Sequence, residues 1–162
     1  MQSPGRVAFS IFGLDIMWYG LLIGIALCLG LIMTSRRSKL YNLNSDDVFY
    51  VATLALPAAF IGARLYYVIF NFDLYRDNLI EIFNFRAGGL AIHGGLIFGI
   101  LTAYIVCRKK KLKSLDILDL VSPAIALGQA IGRWGNFFNG EAHGYRTDSD
   151  IFVMINGVKY IP

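Results

Sequence analysis

Charge is scarce in this 162-residue chain: only 16% of its residues are Asp, Glu, Lys or Arg, where an ordinary soluble domain has about 25%. Hydrophobic residues make up 56%, above the usual range of about 45 to 50%. Such a composition argues against a water-soluble globule. It also excludes a disordered chain, because Leu, Ile, Phe and Tyr supply more apolar surface than a solvated coil tolerates. Cysteine is nearly absent. Cys28 and Cys107 both lie inside apolar runs, where they read as small buried hydrophobes rather than a disulfide, so a disulfide-scaffold class fails as a collagen-like one does. The only histidines, His93 and His143, have no second His or Cys at ligand spacing, so no metal centre is expected. No glycine-rich phosphate loop with a following Lys is present, and no cofactor is expected.

What the chain has instead is long apolar runs. At about 20 residues per crossing of the hydrocarbon core, four spans fit, at about residues 16–33, 49–70, 88–107 and 117–137. The expected fold is an all-α polytopic membrane helical bundle, a single integral membrane domain over residues 1–162. Ile16 to Met33 is uncharged, only Arg6 precedes it and a strong basic cluster follows, which makes it a retained span rather than a signal peptide. Phe49 to Phe70 is apolar except for Arg64, and Ser45, Asp46 and Asp47 before it suit a helix cap and first-turn anions. Gly88 to Cys107 is interrupted by His93. The fourth run starts near Ile117, passes Pro123 and turns polar and glycine-rich from Gly128 to Gly144. Asn71 to Ala87 mixes Asp73, Arg76, Asp77, Glu81 and Arg86 with aromatics, as a loop with a short interfacial helix does. Gly20 and Gly24, Gly95 and Gly99, and Ala124, Gly128 and Gly132 recur every four residues, a spacing that lets helices approach closely.

The formal net charge of +4 would suggest nucleic acid if the basic residues formed a face on a polar domain. They do not, and no nucleic-acid partner is expected. Eight of the fifteen fall in two clusters, Arg36, Arg37 and Lys39, then Arg108, Lys109, Lys110, Lys111 and Lys113, each directly after an apolar run. Lys and Arg at span ends are biased to the cytoplasm. Segments 34–48 and 108–116 are therefore expected inside, and segments 1–15, 71–87 and 138–162 outside, with the amino terminus extracytoplasmic.

On that topology the polar residues of the spans fall at one depth. Arg64 lies late in an outward span, His93 and Tyr19 lie near the starts of inward spans, and Arg133, Asn136, Asn139 and Glu141 lie near the end of outward span four. Ionisable groups at membrane depth are costly unless paired, hydrated or functional. Each also admits a structural reading: Arg64 and Arg133 as snorkelling cations, His93 as a hydrogen-bonded packing histidine, Tyr19 beside Trp18 as aromatic belt, and Glu141 with Arg133 as an ion pair. Taken together they suit a charged headgroup. Two arginines can chelate a phosphate, His or Glu can take a proton, and the carboxamides can donate to phosphate or glycerol oxygens. The expected ligand is an anionic phospholipid, as substrate or as cargo.

The stretch Gly132-Arg-Trp-Gly-Asn-Phe-Phe-Asn-Gly-Glu-Ala-His-Gly144 resembles the signature of prolipoprotein diacylglyceryl transferases. Trp18-Tyr-Gly20, Gly62-Ala-Arg-Leu-Tyr-Tyr67 and Gly88-Gly-Leu-Ala-Ile-His-Gly-Gly95 are similar to further family segments in order and position. The resemblance implies a multi-pass enzyme of the bacterial plasma (inner) membrane. Its partners would be phosphatidylglycerol, other membrane lipid, and preprolipoprotein signal peptides. The reaction moves a diacylglyceryl group onto a lipobox cysteine and releases glycerol phosphate. By motif position, His93, Arg133, Asn136, Glu141 and Gly144 match family residues regarded as essential or important, and Arg64 and Tyr19 match conserved lipid-site positions.

The expected catalytic set is His93, Arg133 and Glu141; the expected phosphatidylglycerol-binding set is Tyr19, Arg64, Arg133, Asn136, Asn139 and Gly144. A thiol attacks only as thiolate, so His93 is the first candidate base and Glu141 the second, while Arg133, helped by Arg64, would stabilise charge growing on the leaving phosphate. Family members continue through a His-Pro-containing segment and further spans that supply another essential arginine, whereas here Ile161 stands where a His is common. The resemblance thus implies the first part of a longer enzyme. The alternatives are a truncated, inactive homologue that only binds anionic lipid or serves as a membrane scaffold, and a transporter of an anionic solute, for which no inverted repeat is apparent.

Overall fold

A computed structural model describes residues 5–85, 88–155 and 157–161. Four helices carry the chain: α1 (Trp18–Arg37), α2 (Ser45–Phe70), α3 (Ile92–Lys109) and α4 (Ser114–Asn139). All four are long and apolar enough to cross a membrane; even α3, with 18 residues, reaches about 27 Å at 1.5 Å per residue. Much of their apolar surface is exposed, including Ile25, Leu29, Phe60, Ile100 and Leu118, as expected where lipid is the solvent. The chain is a multi-pass, all-α membrane protein.

Two small antiparallel hairpins accompany the helices, β1 (Val7–Ile11) with β2 (Leu14–Met17), and β3 (Val153–Ile155) with β4 (Val158–Tyr160). The first replaces the expected start of span one: Ile16 and Met17 finish a strand, and the helix begins at Trp18. In the second, Gly157 just before β4 has φ 79°, while Asn156 lies outside the described residues. Arg86 and Ala87 at the end of the mixed loop, Met1 to Pro4 and Pro162 lie outside them as well.

The chain divides into two compact units, residues 35–120, and residues 1–34 with 121–162. In the first, α2 and α3 pair closely. The reason is the absence of side chains at the contact: a Cβ on Gly94 would strike the Gly62 carbonyl and the Tyr66 side chain, and one on Gly62 would strike the Phe98 ring. Gly95 and Gly99 continue this approach against Ala59. In the second unit Gly30 of α1 faces Ala124 of α4, whereas Gly20, Gly24, Gly128 and Gly132 face open space. The small-residue spacing is therefore a packing seam in α3 and only partly one in α1 and α4.

Helix ends follow local chemistry. The cap of α2 is Asn44, whose side chain accepts from the Asp46 amide at 3.1 Å; Ser45 is already helical, and Asp46 and Asp47 supply the first-turn anions that suit the positive end of the dipole. Arg36 and Arg37 close α1, and Arg108 and Lys109 close α3, as cations at C-termini should. Lys110 Nζ meets Asp47 Oδ1 at 2.8 Å and lies 4.6 Å from the Tyr50 ring centroid. This contact places the segment after α3 beside the start of α2.

Candidate lipid-headgroup site

In the unit built on α1 and α4, the last turns of α4 and the turn after it form an open cleft of about 440 Å³. Arg133, Trp134, Asn136 and Phe137 reach it from the helix. The chain leaves α4 through Gly140 (φ 68°), a left-handed position that glycine takes without steric cost. Glu141, Ala142 and His143 then continue the lining, and Val153 and Ile155 of β3 complete it.

Arg133 is exposed and makes one long hydrogen bond, from Nη1 to the Ala142 carbonyl at 3.4 Å. Most of its five donors are thus available to an anion. The Arg133–Glu141 ion pair, the structural alternative for these two residues, is absent among the described residues. Glu141 Oε1 instead accepts from Asn139 Nδ2 at 3.0 Å, and the Glu141 amide donates to the Asn136 carbonyl at 3.0 Å. Asn139 therefore orients the carboxylate. Tyr19 packs so closely on α4 that a Cβ at Gly135 would come within 2.7 Å of its ring. Gly144 donates its amide to the Ile161 carbonyl at 2.9 Å, and a Cβ there would press on Ile161 at 3.1 Å. Its lack of a side chain serves the backbone pairing of 144–147 with 159–161.

His143, which lacks metal-ligand spacing in the sequence, also lines the cleft. Its ring lies against that of Tyr160, with centroids 4.0 Å apart and planes tilted by 42°, and its Nδ1 lies 3.1 Å from the Gly144 carbonyl. A carbonyl only accepts, so Nδ1 is the donor in this contact. The other linings missed from sequence, Val153 and Ile155, carry no signal beyond ordinary strand alternation.

In the α2–α3 unit, Arg64 is 3% exposed and its guanidinium is enclosed. Nε donates to the Ile82 carbonyl at 2.8 Å. Nη1 donates to Gly88 at 2.6 Å and Gly89 at 3.0 Å, and Nη2 to Glu81 at 2.7 Å and Asn84 at 3.1 Å. The Tyr75 and Phe85 rings lie 5.2 and 5.7 Å away. Five donors meet five backbone carbonyls, which leaves none for a phosphate in this arrangement. Arg64 shapes the loop between α2 and α3, where two 3-10 turns, Phe72–Leu74 and Leu79–Phe83, stand in place of a single short interfacial helix.

His93 sits exposed in the first turn of α3, its ring 6.1 Å from that of Tyr66. The Ala91 amide just before it donates to the Ala63 carbonyl at 3.0 Å. The loop held by Arg64 thus leads directly into the helix start that carries His93. Among the described residues no three His, Cys, Asp or Glu side chains gather as a metal-binding group.

Comparison with known proteins resolves the family. The family model for prolipoprotein diacylglyceryl transferase matches residues 6–162. The chain belongs to that family. Among curated relatives, the phosphatidylglycerol–prolipoprotein diacylglyceryl transferase of Finegoldia magna is 52% identical over 157 residues, and that of Clostridioides difficile 50% identical over 157. Each of these alignments covers 97% of this chain and 63% of the relative. The Clostridium kluyveri protein of the same name is 53% identical over 166 residues, covering 96% of this chain and 65% of its own length. The chain thus spans less than two thirds of the length of these transferases, and the segment matched includes both the cleft and the Arg64 loop.

Proposed function

We propose that this protein takes part in bacterial lipoprotein maturation, transferring the diacylglyceryl group of phosphatidylglycerol to the lipobox cysteine thiol of a preprolipoprotein and releasing glycerol phosphate. The observation that carries the proposal is the cleft: Arg133, largely uncommitted, shares it with Asn136 and Glu141. An exposed arginine there gives a phosphodiester a forked partner, and the Asn136 side chain, with no hydrogen bond to another described residue, can orient the headgroup.

The protein sits in the bacterial inner membrane with its amino terminus outside. The Lys110–Asp47 contact supports this orientation, because it brings the two basic segments to the same side, as the cytoplasmic bias of Lys and Arg requires. The cleft then opens at the outer surface, where a secreted substrate arrives.

In the reaction His93 takes the thiol proton, and the thiolate attacks the glyceryl carbon bonded to the phosphate oxygen. The carbon–sulfur bond forms as the carbon–oxygen bond breaks, and its electron pair leaves on the phosphate. Arg133 stabilises that growing charge most in the transition state, while Glu141, held by Asn139, is the second candidate base. Tyr19 and Gly144 shape the lipid site. Arg64 contributes by fixing the loop before His93.

The test is transfer in phosphatidylglycerol vesicles with a lipobox peptide, the full-length Finegoldia magna relative serving as positive control. Thioether-linked diacylglyceryl peptide should accumulate with an equal amount of glycerol phosphate. Lipid binding without transfer, while the control is active, refutes the activity for this chain and leaves a lipid-binding homologue. Full transfer by His93→Gln refutes the base assignment alone.

A further inference from the structure

The β1–β2 hairpin is too apolar for water. Its two-residue turn is Phe12-Gly13, both left-handed at φ 50° and 78°, the geometry for which Asn-Gly is favoured in solution. Phe12 is 101% exposed, so this position combines a backbone conformation unfavourable for a bulky residue with a full apolar side chain outside the protein. Neither is expected at a tip that faces water.

The register makes the ribbon two-faced. Phe9 pairs with Ile16 and Ile11 with Leu14, and since side chains alternate along a strand these four share one face. Ser10 pairs with Asp15 on the other, joined by a hydrogen bond from Ser10 Oγ at 2.5 Å. Phe9, Ile11 and Leu14 are each about half exposed, so toward the tip the apolar face stays open among the described residues.

The base of the ribbon is fixed to the ends of two membrane-length helices. The Trp18 amide, at the first residue of α1, donates to the Arg6 carbonyl at 2.9 Å, and Arg6 Nε donates to the carbonyl of Asn139, the last residue of α4, at 3.2 Å. Trp18 also stacks on Phe138 at 4.8 Å. From there the tip is about 17 Å away at about 3.4 Å per residue, far enough to lie across the headgroup layer, which is about 5 to 7 Å deep on each side. Continuity with two membrane-length helices names the occupant.

We propose that the hairpin is an interfacial anchor that lies on the lipid surface at the start of α1, with Phe9, Ile11, Phe12 and Leu14 seated at the boundary of headgroups and acyl chains and the Ser10–Asp15 pair facing water. This is independent of the transferase activity.

A nitroxide on Phe12→Cys in a Cys28→Ala, Cys107→Ala background, reconstituted in phosphatidylglycerol vesicles, tests it. The ratio of oxygen to nickel-chelate collisions should be at least about fivefold higher than for a label at exposed Asp148→Cys, because interfacial side chains sit about 5 to 10 Å into the boundary. Equal ratios place the hairpin in water and overturn the proposal. A rise at residue 12 only after lipobox peptide is added makes the ribbon a peptide dock and overturns it as well. Should the cysteine-free background fail to fold, Phe12→Trp in the native chain gives the same decision: brominated lipid should quench the added fluorescence, and unquenched emission refutes the anchor.

Discussion

Arg64 and Arg133 each lie six residues before the end of a membrane-length helix, yet their surroundings are opposite. Arg64 is buried, and all five donors are held by carbonyls of the loop that follows its helix. Arg133 is exposed and makes a single long contact. Neither cation has a carboxylate within ion-pair distance among the described residues. What separates them is where the polar partners come from. A cation satisfied by backbone dipoles acts on the fold, whereas one left with free donors is available to a ligand.

The largest expected effect is on Arg64. Arg64→Ala orphans five carbonyls, and since hydrogen bonds to charged groups are worth about 1.5 to 3 kcal/mol each while loop carbonyls regain some water, denaturant unfolding in detergent should show a loss of about 3 to 5 kcal/mol. Arg64→Lys should recover less than half, because an ammonium is a point charge without the planar fork. Arg133→Ala should do the reverse: transfer falls about 10²- to 10³-fold, as on loss of one donor aimed at developing charge, while stability changes by no more than about 0.5 kcal/mol. Exchanged outcomes for the two arginines would break the comparison outright.

Gly89 refines the Arg64 side of it. Its φ is 75°, and a Cβ there would lie 2.5 Å from Arg64 Nη1 and 2.8 Å from Tyr67 Cε1. Gly89→Ala should therefore cost about 1 to 3 kcal/mol in unfolding, and combined with Arg64→Ala it should add less than its own amount, because the two act on one contact. Full additivity would mean that the glycine serves its turn and not the guanidinium cage.

The spans were legible because composition and charge are local properties: eighteen uncharged residues or four basic ones in a row need no tertiary partner to interpret. The cleft was half legible. Arg133, Asn136 and Glu141 stand within nine residues of one another on a helix end and its turn, so their meeting follows from chain geometry. The Arg64 cage was not legible, since its acceptors are backbone carbonyls 17 to 25 residues away in an irregular loop, and a carbonyl has no sequence signature. The first hairpin was hidden for another reason. The alternation of Phe9, Ile11, Leu14 and Ile16 is present, but Phe12 stands where turn chemistry favours Asn, and the apolar tip blends into the span that follows.

The smallest effect is expected at Lys110, a cation with one fixed partner. The hydrogen bond to Asp47, with the nearby Asp47 and Asp46 charges adding to it, holds the Lys110 ammonium above the ordinary lysine pKa. A raised folded-state pKa stabilises the fold fully below the unfolded value, near 10.4, and that contribution is lost as pH rises through the folded value. Thermal unfolding of the native chain should thus be flat to about pH 10 on this account and decline beyond it, while Asp47→Asn should remove the decline and lower the neutral-pH midpoint slightly, less so in high salt. The pair is solvent-exposed, with the two side chains 40% and 27% accessible, and such pairs contribute little. If Asp47→Asn lowered the midpoint as far as Arg64→Ala, burial and donor count would not be what sets the structural weight of a cation in this fold, and the contrast between Arg64 and Arg133 would need another cause.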